Sequence, residues 1–550
     1  MHRRSRRWWV VLFTLIAALT VTLSNCTPQN APTAGSNNSS QTGADALIFG
    51  AVGDPTTLES GNVTDGYSIY VQQQIYDRLL DFEPGTTNLI PALATEWSVS
   101  DDRLTWRFSL REGVKFHDGT DLNAEAVRAN VNRWWDPNDP LGFREAGKTY
   151  EIWEGLFGGF KGSEASLLQA INLPDDRTIE FVLKQPFAAF PAAIASGYFG
   201  IASPTAIEEA GADYGLPSVG AVGTGAYRFG EWRTGDRIVL EQNPDYWQAG
   251  LPKTERVIFR TIKETTSRLA ELQAGTVDFA ENLSPEQLNE IDSNADLQAL
   301  RRPSFNVGYL ALNPSYEPLA SQEVRQAIAM ALDKKALVEA FWSGLAVTDG
   351  HFTPPSMQEY QDASITDYEY NPEKAKQMLA AAGYPDGFDL EVWYSPLTGS
   401  VFPTPKPIAE AWAADLAAVG IRATLNTKDW AAYLADRLKP PGYQAFMLAW
   451  GGDYGDPDNF YYPHFGPGST TDIGDWKNDR VFQLLDQARQ ESDEARRAEM
   501  YAEIDRILFA EAVRIPIAHS EPLLVQRNSL TGWIPSPLGT ESFATIEKAS

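Results

Sequence analysis

From Ala46 onward the chain switches repeatedly between two hydrophobic periods and shows no fixed-length repeat, and this feature limits most strongly what it can fold into. Leu104-Thr-Trp106-Arg-Phe108-Ser-Leu110 alternates apolar and polar residues with period two, the pattern of a strand with one buried face. Turn residues follow from Arg111 to Gly119. Helical segments lie between such strands. Asn371-Pro372-Glu373 puts a capping side chain before a proline at the first helical position, and Lys374 to Ala382 runs to a stop at Gly383. Ser284-Pro285-Glu286-Gln287 has capping-box spacing ahead of a shorter helix, and Val324 to Trp342 is predicted as one longer amphipathic helix ending before Gly344. Interleaved elements of this kind predict a mixed α/β protein of two large lobes. At roughly 100 to 200 residues per domain, 550 residues suggest about three structural units.

The first 45 residues are of a different kind. Arg3, Arg4, Arg6 and Arg7 precede an uncharged apolar run from Trp8 to Leu23, the basic and hydrophobic regions of an export signal. That run is shorter than the roughly 20 residues a bilayer core requires. Ser5-Arg6-Arg7 also has the adjacent arginines of a twin-arginine signal. Leu23-Ser24-Asn25-Cys26 resembles a bacterial lipobox, with Asn25 where a small residue is usual, and implies removal of residues 1–25 and acylation of Cys26. As Cys26 is the single cysteine, the chain can form no internal disulfide. Thr27 to Ala44 has no charge and almost no large apolar residue, which predicts a flexible tether over 26–45. The 73 acidic against 45 basic residues give a charge of −28, and loss of the four signal arginines leaves a body at −32. Such a body is unsuited to binding nucleic acid and is repelled by anionic head groups, so its expected contact with the membrane is the lipid anchor alone.

Several chemical motifs compete. Gly142-Phe-Arg-Glu-Ala-Gly147-Lys148-Thr149 fits the P-loop pattern, but a turn-rich stretch precedes it and an aromatic-rich segment follows, where phosphate binding needs a strand and then a helix. It is read as a coincidence. His2, His117, His351, His464 and His519 are dispersed without metal-ligand spacing, and neither a metal nor a cofactor is expected. No Gly-x-Ser-x-Gly elbow occurs. The densest constellation runs from Trp450 through Gly451, Gly452, Asp453 and Asp456 to Phe460, after the apolar run Ala445 to Leu448. Glycines following a strand permit close approach of a ligand, Trp450 offers an apolar wall and Asp453 a fixed charge. The same residues are open to other readings: a calcium loop lacking the usual spacing and final Glu, a turn whose aspartates bond locally, or a glycosidase-like carboxylate site.

Across nearly the whole mature length the sequence resembles the family 5 extracellular solute-binding proteins, which serve dipeptide and oligopeptide ABC importers. The resemblance is carried in order by Leu89 to Ala94 with Glu96-Trp97, by Leu110 to Gly119 with Ala124 to Val127, and by Val222 to Tyr227 with Asn243 to Trp247. It continues through Val324 to Ala327 with Ala331 to Asp333, Ala382 to Phe388, the Trp450 to Phe460 segment and Ile515 to His519. It implies a two-lobed periplasmic-binding-protein fold of class II, the Venus-flytrap architecture, with an extra inserted subdomain in the first lobe. Lobe I is then expected from 46–305 plus 520–550, with the insertion near 85–218, and lobe II from 306–519. The crossings fall near Pro303 to Val307 and Ile517 to Ser520. The resemblance further implies a binding protein and not an enzyme, exported and lipid-anchored on the outer side of the cell membrane. It is expected to be a monomer that delivers a peptide ligand to an ABC permease.

Asp453 matches the aspartate that holds the peptide α-ammonium in such proteins, Trp430 a pocket tryptophan and Arg437 a pocket arginine. With Trp450, Gly451 and Gly452 they form the expected ligand site. One departure stands out. Where dipeptide binders carry an arginine for the ligand carboxylate, Gly399 to Val401 lie here in the stretch Leu397-Thr-Gly-Ser-Val-Phe402. Nickel complexes, oligosaccharides and opines are alternative solutes within the family, and a secreted hydrolase using Asp453 and Asp456 is the alternative from another class.

Overall fold

The computed structural model describes residues 46–549, so the signal segment, Cys26 and the tether lie outside the described residues. Three larger sheets carry the fold. A seven-stranded sheet orders its strands Leu297–Arg301, Leu523–Arg527, Phe279–Ala280, Ala46–Ala51, Arg256–Thr261, Arg237–Gln242 and Tyr227–Arg233. A six-stranded sheet orders Ala346–Val347, Arg514–Ser520, Asn306–Leu312, Ala445–Gly451, Asp389–Trp393 and Arg422–Asn426. An antiparallel four-stranded sheet is made from Ala94–Val99, Thr105–Leu110, Thr178–Leu183 and Leu168–Asp175. The chain passes between the first two sheets twice, from Arg301 to Asn306 and from Ser520 to Leu523. The passages are tied to each other: Asn306 Nδ2 donates to the Ser520 carbonyl at 2.8 Å, and Asn306 Oδ1 accepts from the Ser520 amide at 3.0 Å.

Burial follows the sequence patterns. In Thr105–Leu110 the side chains of Phe108 and Leu110 are buried while Arg107, on the opposite face, is exposed and pairs with Glu180 across the ladder at 2.5 Å. The central strand Asn306–Leu312 is buried at every position because the six-stranded sheet is covered on both faces. Val307, Tyr309 and Ala311 pack against Phe446, Phe460 and Tyr461 on one side. Leu310 and Leu312 pack with Ile408 and Trp412 on the other.

The segment Val324 to Trp342 forms two helices instead of one, Gln322–Ala331 and Lys334–Phe341. Leu332 is extended, and Asp333 caps the second helix by accepting from the Ala336 amide at 3.0 Å, while its own amide donates to Asp415 Oδ2 at 3.0 Å. The break also lets buried Lys334 pair with Asp367 and donate to the Pro516 carbonyl at 3.1 Å. A cap is worth about 1 kcal/mol, and satisfying a buried ammonium adds to it. The P-loop-like stretch is two single 3-10 turns, Pro140–Gly142 and Arg144–Ala146, without a preceding strand. Its Lys148 is committed to Glu59 at 2.6 Å, beside the Arg133–Glu59 pair at 2.7 Å.

Candidate ligand-binding site

The strand Ala445–Gly451, an interior strand of the six-stranded sheet, delivers the motif to its C-terminal end and releases the chain at Gly452. Gly452 is required sterically, since a Cβ there would sit 2.1 Å from the Phe305 ring, and one at Gly455 would sit 2.4 Å from Thr87 Cβ. Gly451 faces open space. Asn459, at the start of the helix Asp458–Phe465, then shapes the turn. Its Oδ1 accepts from the Asp453 amide at 2.8 Å and its Nδ2 donates to Asp453 Oδ2 at 3.1 Å. The other carboxylate oxygen accepts from the hydroxyl of Tyr198 at 3.0 Å.

The three aspartates of the motif differ in one respect. Asp456 accepts from both terminal nitrogens of buried Arg497, at 2.7 and 2.6 Å, and Asp458 pairs with Arg489 at 3.0 Å. Asp453, which keeps partial exposure, is paired with no Lys, Arg or His among the described residues. Burial raises its pKa above the ordinary value of 3.8, and the hydrogen bonds from Asn459 and Tyr198 offset only part of that. The arrangement is a negative charge held by neutral donors at the place where Tyr198, from a distant part of the chain, meets the motif. Two further contacts join the same regions: the Ala188 amide donates to the Arg489 carbonyl at 2.7 Å, and Arg103 Nη1 to the Gln490 carbonyl at 3.0 Å. Between them lies a cavity of about 430 Å³ bordered by Trp97, Trp106, Phe187, Tyr360 and Gly455.

Trp430, Arg437 and Trp450 line a second cavity, also about 430 Å³. The helix Trp430–Arg437 places its first and last residues two turns apart, on one face. The Trp430 ring stacks on Tyr433 with centroids 5.8 Å apart, and Trp450 packs edge-on against His464 at 4.9 Å. Arg437 pairs with Asp472, which also accepts from Arg514 at 2.8 Å. The segment Leu397 to Phe402 brings no cation; Val401 and Phe402 pack against Gly308 instead. Sequence reasoning thus named Asp453, Trp450, Gly451, Gly452, Trp430 and Arg437, and the fold gathers them around one strand end. It missed Tyr198 and Arg514, which lie far away in sequence, and His464 and Asp472, which follow the motif closely but reach the cavity only through the fold. Asn459 lay inside the motif and was legible only as part of it.

The family model described as "Bacterial extracellular solute-binding proteins, family 5 Middle" matches residues 88–472. The chain is 32% identical over 550 residues to Heme-binding protein A of Haemophilus influenzae, covering 96% of this chain and 97% of that one. It is 31% identical over 505 residues to the Dipeptide-binding protein of Escherichia coli, covering 90% and 92% respectively. Among solved structures, HbpA2 from Haemophilus parasuis superposes with a TM-score of 0.82 at 29% identity, over 92% of this chain and 99% of that one. The periplasmic binding protein DppA from Helicobacter pylori, in complex with the peptide STSA, gives 0.76 at 26% identity, over 92% and 98%.

Proposed function

Because this chain belongs to the bacterial extracellular solute-binding proteins of family 5, we propose that it captures a peptide through its α-ammonium group at Asp453 and presents it to an ABC permease. The observation that carries this reading is the charge imbalance of the motif: Asp456 and Asp458 each have an arginine, while Asp453 has only the neutral donors Tyr198 and Asn459. An ammonium group leaving water needs a counter-charge, and a carboxylate already oriented by two hydrogen bonds provides one at little ordering cost. Gly451 leaves backbone open beside it, suited to main-chain hydrogen bonds with an extended peptide of any sequence.

Lobe I comprises 46–305 and 520–550 with an inserted subdomain near 85–218, and lobe II comprises 306–519. Tyr198, Ala188 and Arg103 then belong to the first lobe and their partners Asp453, Arg489 and Gln490 to the second, so these three contacts form on closure. A ligand bound at Asp453 favours the closed state by the contacts it makes only there, and the permease reads that shift. The protein is a binder and leaves its ligand intact. The bidentate Arg497 clamp on Asp456 counts against an acid–base pair with Asp453, because it occupies both carboxylate oxygens. The body is a monomer tethered through lipid on Cys26, and Cys26→Ser is expected to release it from the membrane fraction into the soluble fraction.

The test is recovery of bound material from the purified protein by denaturation and mass spectrometry, followed by binding of free and N-acetylated forms of one peptide. Intact peptides and a strong preference for the free amine are the expected results. Recovery of a non-peptide solute, equal affinity for the two forms, or peptide turnover refutes the reading.

A further inference from the structure

A third cavity, of about 190 Å³, shares no residue with the two described above. It lies among the end of the helix Gly66–Ile75, the paired strands Leu80–Phe82 and Leu89–Pro91, and the chain over 534–545. Asp77, Arg78, Asp81, Glu83, Tyr246 and Glu541 border it, so four carboxylates face one guanidinium. Arg78 pairs with Asp81, and Arg302 donates to Glu541 Oε1 through Nε at 3.0 Å and Nη2 at 2.8 Å. The Glu83 carboxylate accepts only from Thr86 and Asn88 among the described residues. Asp77 is held by neutral donors alone: the Tyr246 hydroxyl at 3.1 Å, the Trp247 indole N–H at 3.0 Å and the Thr224 hydroxyl at 2.8 Å. Burial raises its pKa above 3.8, and these bonds offset only part of that. About two negative charges thus remain unbalanced at the cavity. Glu541 adds an independent observation. Its side chain is 0% exposed; Oε1 takes Arg302 and the Ser536 amide at 3.0 Å, while Oε2 has no partner among the described residues. Arg78 Nε is unpartnered as well. Native structures rarely keep a buried carboxylate oxygen without a donor, because its lost hydration is then uncompensated.

We propose that this cavity binds a small organic ammonium compound, at a site separate from the one around Asp453. An ammonium group only donates, which is what Glu541 Oε2 lacks, and its charge offsets the excess that Asp77 and Glu83 leave. A hydroxyl on the same molecule accepts from Arg78 Nε, so an amino alcohol is the best match within the class. A metal ion is a poorer match, since no three His, Cys, Asp or Glu side chains converge to ligate one among the described residues. The site also touches the joint between the two large sheets. The amide of Arg302 donates to the Pro522 carbonyl at 3.0 Å, so the residue that balances Glu541 stands on one passage of the chain and holds the other. An ammonium group at Oε2 shares its carboxylate with that joint. This inference does not depend on the peptide reading above.

The experiment is calorimetric titration of the intact protein at pH 7 and fixed ionic strength with ethanolamine, ethylene glycol and potassium chloride. The expected result is saturable binding of one ethanolamine with a Kd below about 1 mM, at least about tenfold tighter than ethylene glycol or potassium. Affinity is expected to fall about tenfold or more in Glu541→Gln, which keeps one oxygen for Arg302, and in Asp77→Asn, which keeps one for Trp247 and Thr224. Melting curves identify which of the two variants is folded. Asp453→Asn, which removes the other unpaired carboxylate, is expected to bind ethanolamine as the unmodified protein does. Four results overturn the proposal: no saturable binding, equal binding of ethylene glycol or potassium, affinity kept within about threefold in a folded Glu541→Gln or Asp77→Asn protein, or binding lost in Asp453→Asn. The last would assign the ammonium to the ligand site instead.

Discussion

Replacing Asp453 by asparagine removes one negative charge and leaves the volume almost unchanged. The carboxamide oxygen can still accept from Tyr198, but the carboxamide nitrogen would face Asn459 Nδ2, so one hydrogen bond of the present set is lost. Such a loss costs about 1 kcal/mol, while removing a partly buried carboxylate that has no cation relieves its desolvation and acts in the opposite direction, so unliganded stability is expected to change by no more than about 1 kcal/mol. Binding is affected far more. Removing one member of a buried, hydrogen-bonded charge pair costs about 2–5 kcal/mol, or roughly 30- to 5000-fold in Kd.

The pH dependence gives a second signature. Burial raises the pKa of Asp453 above 3.8, so the folded, unliganded protein binds this proton more tightly than the unfolded chain does. Its contribution to stability is present below the unfolded pKa and is lost as pH rises through the raised value. Ammonium binding needs the ionised form, so affinity is expected to fall as pH drops through the same window, and Asp453→Asn flattens that dependence. Calorimetric titration with a free-amine peptide between pH 7 and 4, beside thermal unfolding of both proteins, checks all of this. A variant that binds within threefold of the unmodified protein refutes the ammonium role. So does a variant that loses binding only by unfolding.

Asp456→Asn is expected to show the opposite pattern, since it breaks the buried bidentate pair with Arg497. A loss of about 3–5 kcal/mol of stability in denaturant titration is expected, and a loss under 1 kcal/mol contradicts the structural role. Tyr198→Phe removes one donor to Asp453 and one closure contact. About 0.5–1.5 kcal/mol of affinity, roughly two- to twelvefold, should disappear with little change in the melting curve, and unchanged affinity would separate Tyr198 from the site. Gly452→Ala drives a methyl group into the Phe305 ring and is expected to cost about 1–3 kcal/mol of stability, measured in the same denaturant titration; a neutral outcome would mean that the turn is free to shift.

Local features were readable along the chain. The strand Thr105–Leu110 matches the alternating run Leu104 to Leu110 to within one residue, because which face a strand side chain takes is set by its parity. Asn371 caps the helix Pro372–Ala381 by accepting from the Lys374 amide at 2.9 Å, as the spacing predicts, because a cap and its partner are three residues apart. The reading failed where a distant group changed the balance. Val324 to Trp342 has helical periodicity throughout, yet Asp415, Asp367 and the Pro516 carbonyl reward a break at Leu332 that periodicity cannot register. The letters of the P-loop were correct and their context was not, since Lys148 finds Glu59, 89 positions earlier.

The sequence by itself determined the mixed α/β class, the resemblance to family 5 and the position of the charged motif at a strand end, all of which depend on residue order over short spans. Only the tertiary structure decided which aspartate carries the unbalanced charge. Asp453, Asp456 and Asp458 are chemically alike in the sequence, and they differ because Arg497 and Arg489 arrive at two of them while Tyr198, 255 positions away, brings a neutral hydroxyl to the third. The cluster of Arg437, Asp472 and Arg514 arises in the same way, from a helix, a 3-10 turn and a strand of the six-stranded sheet that meet only in the folded molecule. Electrostatic balance at a site is a sum over neighbours in space, and the chain order does not list those neighbours.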